Sequence, residues 1–271
     1  MPLISINGQL NDRVSCSDRG FAYGDGLFET CRVVGKDIPL WDLHRKRLQA
    51  SLARLFITVD LDQVEVYWRE LLKKATSDNQ VLKIVITRGE GGRGYGFSVD
   101  MQPTVVCSVH QLPQSSQKPI ALNLCETRLS CSRALAGIKH LNRLDSVLIR
   151  AECQSKGWDD ALAANEYGML VETSHSNVFF KIDGRWVTPR IDCSGVKGVM
   201  REFVLSELSS IVGAIIEEDV QLNHLSRVQA AFCTNSLRGI VPVSILDGRE
   251  LHEDSDVRSL CNALIGSRFN T

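Results

Sequence analysis

Hydrophobic and polar positions alternate in short blocks along the 271-residue chain, and the blocks change period repeatedly. Leu3–Ile6 followed by Asn7-Gly8 predicts a strand entering a tight hairpin, because Asn-Gly supplies two positive φ angles. Residues 28–34, Gly35-Lys36 and residues 38–41 repeat that pattern. From Trp41 to Phe56 the period becomes helical, with Leu48, Leu52 and Leu55 on one stripe. A second helix carries Leu61, Val64, Trp68, Leu71 and Ala75 at the same spacing. Residues 81–87 and 104–109 are β-rich runs flanking a glycine-dense loop, and Ile120–Leu124 is a further strand. Leu144, Val147, Leu148 and Ala151 set one helix face against a core, and Gly157 ends that helix. Short strands are predicted at 161–164, 169–172, 178–182 and 186–188, with turns at Tyr167-Gly168 and Asp183-Gly184. A helix from Val199 to Gly213, more short strands and a final helix complete the chain.

Strands and helices mix without a regular βαβ alternation, which predicts an α+β fold in two domains. The polar run from Leu112 to Pro119, with its two prolines, is the linker candidate. The expected division is therefore an N-terminal α+β domain at 1–112, a linker at 113–118, and a C-terminal α+β domain at 119–271. A net charge of -1 without a clustered basic face argues against nucleic acid. The densest basic run, His44-Arg45-Lys46-Arg47, lies inside a helical pattern. No stretch approaches the roughly 18 apolar residues of a membrane span, and the first residues do not resemble a signal peptide. Nine cysteines without a C-x-x-C pair signal neither a zinc site nor a redox dithiol. The expectation is a cytoplasmic protein with reduced thiols and no metal.

Two features carry candidate chemistry. Gly89-Glu90-Gly91-Gly92-Arg93-Gly94 satisfies G-x-G-x-x-G after a strand. A dinucleotide fold needs a helix opening there, and Tyr95-Gly96-Phe97-Ser98 followed by Pro103 is poor helix material. The run therefore predicts a hairpin loop whose Arg93 and Tyr95 can meet a carboxylate. The second feature is Lys139, one of ten lysines, set between Gly137-Ile138 and Leu141 just before a helix. Poor solvation disfavours the ammonium and frees an amine for Schiff-base chemistry, although a lone lysine so placed is more often a snorkelling surface residue.

Four motifs in order change the weight of that lysine: His44-Arg45-Lys46-Arg47-Leu48, Gly137-Ile138-Lys139-His140-Leu141-Asn142-Arg143-Leu144, Val171-Glu172-Thr173-Ser174-His175-Ser176-Asn177-Val178-Phe179 and Gly198-Val199-Met200-Arg201. Their order and content resemble the fold-type-IV pyridoxal-phosphate enzymes, which include branched-chain and D-amino-acid aminotransferases and aminodeoxychorismate lyases. The resemblance runs from about Asn7 to Val243. It implies pyridoxal 5'-phosphate as cofactor, with Lys139 carrying it and Glu172 facing the pyridine nitrogen. Arg47, the backbone of Val199 and Met200, and Ser236 would hold the phosphate.

Within the family, the 87–95 and 136–144 runs are most similar to the aminodeoxychorismate lyases. The D-amino-acid aminotransferases grip the substrate carboxylate with an arginine, a histidine and a tyrosine; here those positions hold Arg93, Tyr95 and Phe28. The expectation is therefore a lyase that releases 4-aminobenzoate and pyruvate, with an aminotransferase as the alternative and an inactive cofactor-binding protein as the third reading. Lys139 and Glu172 would be catalytic, and Arg93, Tyr95 and Thr30 would meet a small-molecule substrate. The resemblance further implies a homodimer in which the 87–95 loop reaches the neighbouring subunit.

Overall fold

The computed structural model describes residues 3–113 and 118–270, and the expected linker at 113–118 falls mostly outside them. The chain forms two compact units. Of the described residues, 3–113 and Ile138–Asn142 make the first, and 118–137 and Arg143–Asn270 make the second.

In the first unit, Asn7 (φ 48°) and Gly8 (φ 82°) turn β1 (Leu3–Ile6) into β2 (Gln9–Leu10), as the Asn-Gly pair predicts. A short α1 (Arg19–Tyr23) starts on Asp18, whose carboxylate accepts from the Gly20 amide. Then come β3 (Gly26–Val34), α2 (Trp41–Arg54), α3 (Leu61–Lys73), β4 (Asn79–Thr87) and β5 (Thr104–Gln111). The strand predicted at 38–41 does not form. Pro39 offers no ladder donor, a single Val34–Asp37 bridge closes the turn, and Trp41 opens α2.

These five strands form an antiparallel sheet in the order β2-β1-β5-β4-β3. Period-two alternation sends Leu27, Cys31, Val33, Leu82, Ile84 and Ile86 into a core with Leu48 and Leu52 of α2 and Trp68 and Leu71 of α3. The neighbouring positions Phe28, Thr30 and Lys83 lie on the opposite face. β3 is the end strand of this sheet, and an end strand leaves backbone donors and acceptors to satisfy. Ile138–Asn142 meets that need: Phe28 N donates to the Lys139 carbonyl at 2.9 Å and Leu141 N to the Gly26 carbonyl at 3.0 Å. Lys139 thus belongs to the first unit, although its position in sequence suggested the C-terminal domain.

The second unit contains β6 (Ile120–Leu124), α4 (Leu144–Lys156), β7 (Asp160–Ala164), β8 (Met169–Thr173), β9 (Asn177–Ile182) and β10 (Arg185–Pro189). α5 (Val199–Phe203) continues through a widened π turn into α6 (Ser209–Val212), which stops before Gly213. β11 (Ile215–Glu218), β12 (Val220–Gln221), β13 (Val228–Asn235), β14 (Gly239–Leu246), β15 (Arg249–Glu250) and α7 (Ser255–Ile265) follow. The main strand order is β11-β10-β9-β13-β14-β6-β7-β8-β12. An added β8–β9 pairing closes β9-β13-β14-β6-β7-β8 into a ring. Leu122, Leu162, Val178, Phe180, Ala231 and Val243 are among the residues of one core cluster in this unit. The α+β architecture is the one the sequence predicts.

Two expectations are corrected. The stripe assigned to the core on α4 faces outward, with Leu144, Val147 and Leu148 at 75%, 57% and 56% exposure and Ala151 also exposed; Ile149 and Cys153 are buried instead. Periodicity marks an apolar stripe without saying what covers it. The thiols are not all reduced either: Cys131 and Cys193 form a disulfide, with their Cα atoms 5.0 Å apart. Their separation of 62 residues hides the pair from any local spacing rule, and only folding brings the two together. Among the described residues, no helix is long and apolar enough to cross a membrane.

Candidate active site

On the face of the first sheet opposite that core, the Lys139 Nζ lies 4.4 Å from the centroid of the Phe28 ring, and the Lys83 Nζ lies 5.3 Å from it. Two ammonium groups thus share one aromatic ring, an arrangement worth about 0.5–1 kcal/mol per cation at a wet site. Thr30 is the cross-strand partner of Lys83. Lys83 escapes sequence reasoning because a lysine in an alternating strand reads as a solvated position. The register between β3 and β4 is what brings it beside Lys139.

One residue along β3, Glu29 turns to the buried side and is 1% exposed. Its carboxylate hydrogen-bonds the His44 Nδ1 at 2.6 Å, and the Arg47 fork donates to both oxygens, through Nε at 2.7 Å and through Nη2. Three residues apart on α2, His44 and Arg47 occupy one helix face. Burial alone would raise the Glu29 pKa, but the Arg47 guanidinium and His44 outweigh it and hold the carboxyl down at about 2. Glu29 is therefore a fixed anion that orients Arg47. Cys31 joins Glu29 and His44 in a cluster of metal-ligand type. Burial pushes the Cys31 thiol well up, and Arg47 already serves the carboxylate.

Arg93 and Tyr95 stand exposed in the loop joining β4 and β5. That loop opens no helix, so the glycine motif does not build a dinucleotide site.

In the second unit, Glu172 ends up 7% exposed on β8. Its Oε2 accepts from the Val196 amide at 2.9 Å and from Asn177 Nδ2 at 3.3 Å, while the same Asn177 group donates to the Val196 carbonyl at 2.8 Å. Neither Asn177 nor Val196 could be assigned this role from sequence, since β8–β9 pairing and the 190–197 loop create it. Gly198 is the N-cap of α5 and supplies no side-chain cap. The first-turn amides of Val199 and Met200 therefore present a positive helix end suited to an anion. At the end of β13, the Asn235 Oδ1 accepts from the amides of Leu237 and Arg238, so this asparagine builds the turn that holds Ser236. The Thr234 Oγ1, two residues before Ser236, is buried without a hydrogen-bond partner among the described residues. Uncapped helix amides suit an anion, and a carboxylate fixed by neutral donors suits a neighbouring positive charge.

A Cβ added to Gly198 would collide with Asn177 Oδ1. Gly198→Ala is expected to displace Asn177 and loosen Glu172, costing about 1–3 kcal/mol on the scale of an unmet buried polar group. Urea unfolding checks this; an unchanged midpoint would refute it.

The residues the sequence singled out thus appear as a lysine over an aromatic ring, an arginine locked by a buried carboxylate and a clamped glutamate. The chain belongs to the amino-transferase class IV family, whose profile matches residues 26–246; this family is pyridoxal-phosphate-dependent. The chain is 34% identical over 271 residues to the aminodeoxychorismate lyase of Vibrio harveyi, covering 97% of this chain and 98% of the relative. It is 29% identical over 257 residues to a putative branched-chain-amino-acid aminotransferase of Methanocaldococcus jannaschii, covering 92% and 89%. The crystal structure of 4-amino-4-deoxychorismate lyase from Pseudomonas aeruginosa matches with a TM-score of 0.92 at 34% identity, covering 97% of this chain and 98% of the other.

Proposed function

We propose that this chain is a 4-amino-4-deoxychorismate lyase that holds pyridoxal 5'-phosphate on Lys139 and releases 4-aminobenzoate and pyruvate. The observation that carries the reading is the near-full-length similarity to the Vibrio harveyi lyase. Phe28 supports the choice over an aminotransferase: its ring packs against Lys139 where the D-amino-acid aminotransferases place a carboxylate-binding hydroxyl.

Bound pyridoxal phosphate supplies a ring that withdraws electrons from the substrate carbon next to the attached amine. Glu172, clamped by Val196 and Asn177, would face the ring nitrogen and favour its positive charge. Arg47, the amides of Val199 and Met200, and the Ser236 hydroxyl would hold the phosphate. Lys139 would hold the cofactor at rest and, as a free amine, would take the C4 proton as general base. The C3–O bond then breaks, the carbocycle becomes aromatic, and Lys139 returns the proton to the departing enolpyruvyl carbon. 4-Aminobenzoate and pyruvate together carry every atom of the substrate. Arg93, Tyr95, Thr30 and Lys83 supply the charge and hydroxyls for its two carboxylates.

Given 4-amino-4-deoxychorismate, the purified yellow protein is expected to form 4-aminobenzoate and pyruvate in equal amounts. Glutamate from D-alanine and 2-oxoglutarate without any 4-aminobenzoate would assign it to the aminotransferases instead. A yellow protein inert in both assays would be a binding protein, and a colourless one that takes up no added cofactor would overturn the whole reading. Lys83→Ala is expected to raise KM roughly tenfold with the colour retained, as loss of one charged contact implies. An unchanged KM would remove Lys83 from the substrate side.

A homodimer is part of the proposal, supported by the outward Leu144, Val147 and Leu148 of α4, which suit a second copy of the chain. Leu148→Glu should shift the sedimentation coefficient to that of a monomer if α4 is buried in the dimer. Cytoplasmic location is also proposed, supported by seven free cysteines, five of them buried, beside the single disulfide among the described residues.

A further inference from the structure

Arg19 is 4% exposed, yet the reaction outlined above makes no use of it. Its Nη1 donates to the carbonyls of Gly94 at 2.9 Å and Gly96 at 3.2 Å, and its Nη2 to that of Tyr95 at 3.1 Å. The Nε donates to Asp25 at 2.8 Å. Asp25 in turn receives two bonds from Arg88, whose Nη1 and Nη2 also hold the carbonyls of Phe56 and Leu55 and whose guanidinium stacks at 3.7 Å on Phe97. Burial would raise the Asp25 pKa, but Arg88 and Arg19 bring it below the ordinary value, so the carboxylate remains a charged anchor for both arginines.

The start of the same loop is held by backbone bonds: Arg19 N donates to the Gly89 carbonyl and Gly91 N to the Ser17 carbonyl. A Cβ on Gly91 would lie 2.9 Å from the Arg19 Cδ, so glycine is what lets the loop pass over the arginine stem. Tyr23 completes the frame, accepting from Gly94 N at 3.1 Å and packing its ring 5.5 Å from that of Tyr95. Arg93 therefore sits between two anchored points, one at 89–91 and one at 94–96.

We infer that Arg19, oriented by Asp25, is the positioning residue of the substrate loop: it sets where Arg93 and Tyr95 present their side chains, and so governs substrate affinity without taking part in proton transfer. The inference rests on the reading that Arg93 meets a substrate carboxylate. Three carbonyls converging on one planar, five-donor fork explain why the group is arginine, since a lysine ammonium offers a single centre.

Arg19→Lys keeps the charge beside Asp25 but cannot span residues 94–96. Measured on the holoenzyme with 4-amino-4-deoxychorismate, it is expected to raise KM roughly tenfold, to leave kcat within about twofold, and to keep the yellow colour. Trypsin should also cut after Arg93 faster than in the parent protein. Arg93→Ala, run alongside, is expected to raise KM by a similar factor. A raised KM for Arg93→Ala with an unchanged KM for Arg19→Lys would overturn the positioning role and leave the substrate loop standing. No change in either variant would remove the loop from the substrate site and the inference with it. Loss of colour, a fall in kcat matching the change in KM, or unaltered trypsin cleavage would make Arg19 a structural residue only.

Discussion

Lys139→Ala is expected to give a folded, colourless protein whose turnover falls by roughly 10⁴-fold. In the proposed mechanism one amine would carry both the covalent hold on the cofactor and the proton transfers, and positioned acid–base groups contribute about 10²–10⁴-fold each. The structure also says why folding should survive. Lys139 is only half-buried, and the backbone bonds tying its segment to β3 run through the amide of Phe28 and the carbonyl of residue 139, which alanine keeps. A melting temperature within a few degrees of the parent, with the visible absorbance gone, is the expected pair of results. Retention of colour or of more than a few percent of turnover would mean that another lysine holds the cofactor, and Lys83, on the same aromatic ring, would be the first to test.

Glu29→Gln is expected to be the most destabilising of the single substitutions considered. The carboxylate is buried between His44 and Arg47, and removing one partner of a buried ion pair typically costs about 3–5 kcal/mol because the other charge is left stranded. The pH dependence has a definite sign. The folded-state pKa of about 2 lies below the ordinary 4.5, so Glu29 contributes stability above pH 4.5 that is lost as pH falls from there toward 2. Urea midpoints measured across that window should drop more steeply for the parent than for the glutamine variant. Apoprotein titrations should also show weaker cofactor binding, since Arg47 loses its orienting partner. A variant as stable as the parent at neutral pH, with an unaltered acid limb, would refute the role given to Glu29.

Much of the fold was legible along the chain. The Asn7-Gly8 hairpin, both helices at 41–73, β6 and the run of short strands from 160 to 189 appear where periodicity and turn residues predict them, because each depends on contacts a few residues apart. The failures have physical causes as particular as the successes. Pro39 cancelled a strand through a missing N–H. The α4 stripe was apolar but outward, because helical spacing specifies a face and leaves its partner open. The Cys131–Cys193 bond joins positions far apart in sequence, beyond any local pattern.

The candidate site divides along the same line. Lys139, Glu172, Arg47 and the Val199-Met200 helix start were proposed from the sequence through the family resemblance, whose motifs are short and contiguous. The residues that hold them in place could not be. Glu29 reached Arg47 through the packing of α2 on the sheet, Asn177 and Val196 reached Glu172 through strand pairing and a loop, and Lys83 reached Phe28 through cross-strand register. Arg19 reached the 94–96 carbonyls by folding back across some 75 residues of chain.

The sequence by itself therefore determined the α+β class, the family resemblance and the chemical groups available to the reaction. Those follow from residue identity and short-range spacing, which the chain carries whether folded or not. Tertiary structure alone decided which groups are buried, which are paired and which carbonyls an arginine can gather. Hydrogen bonds and ion pairs act over a few ångströms in space, and folding is what makes distant residues neighbours at that range.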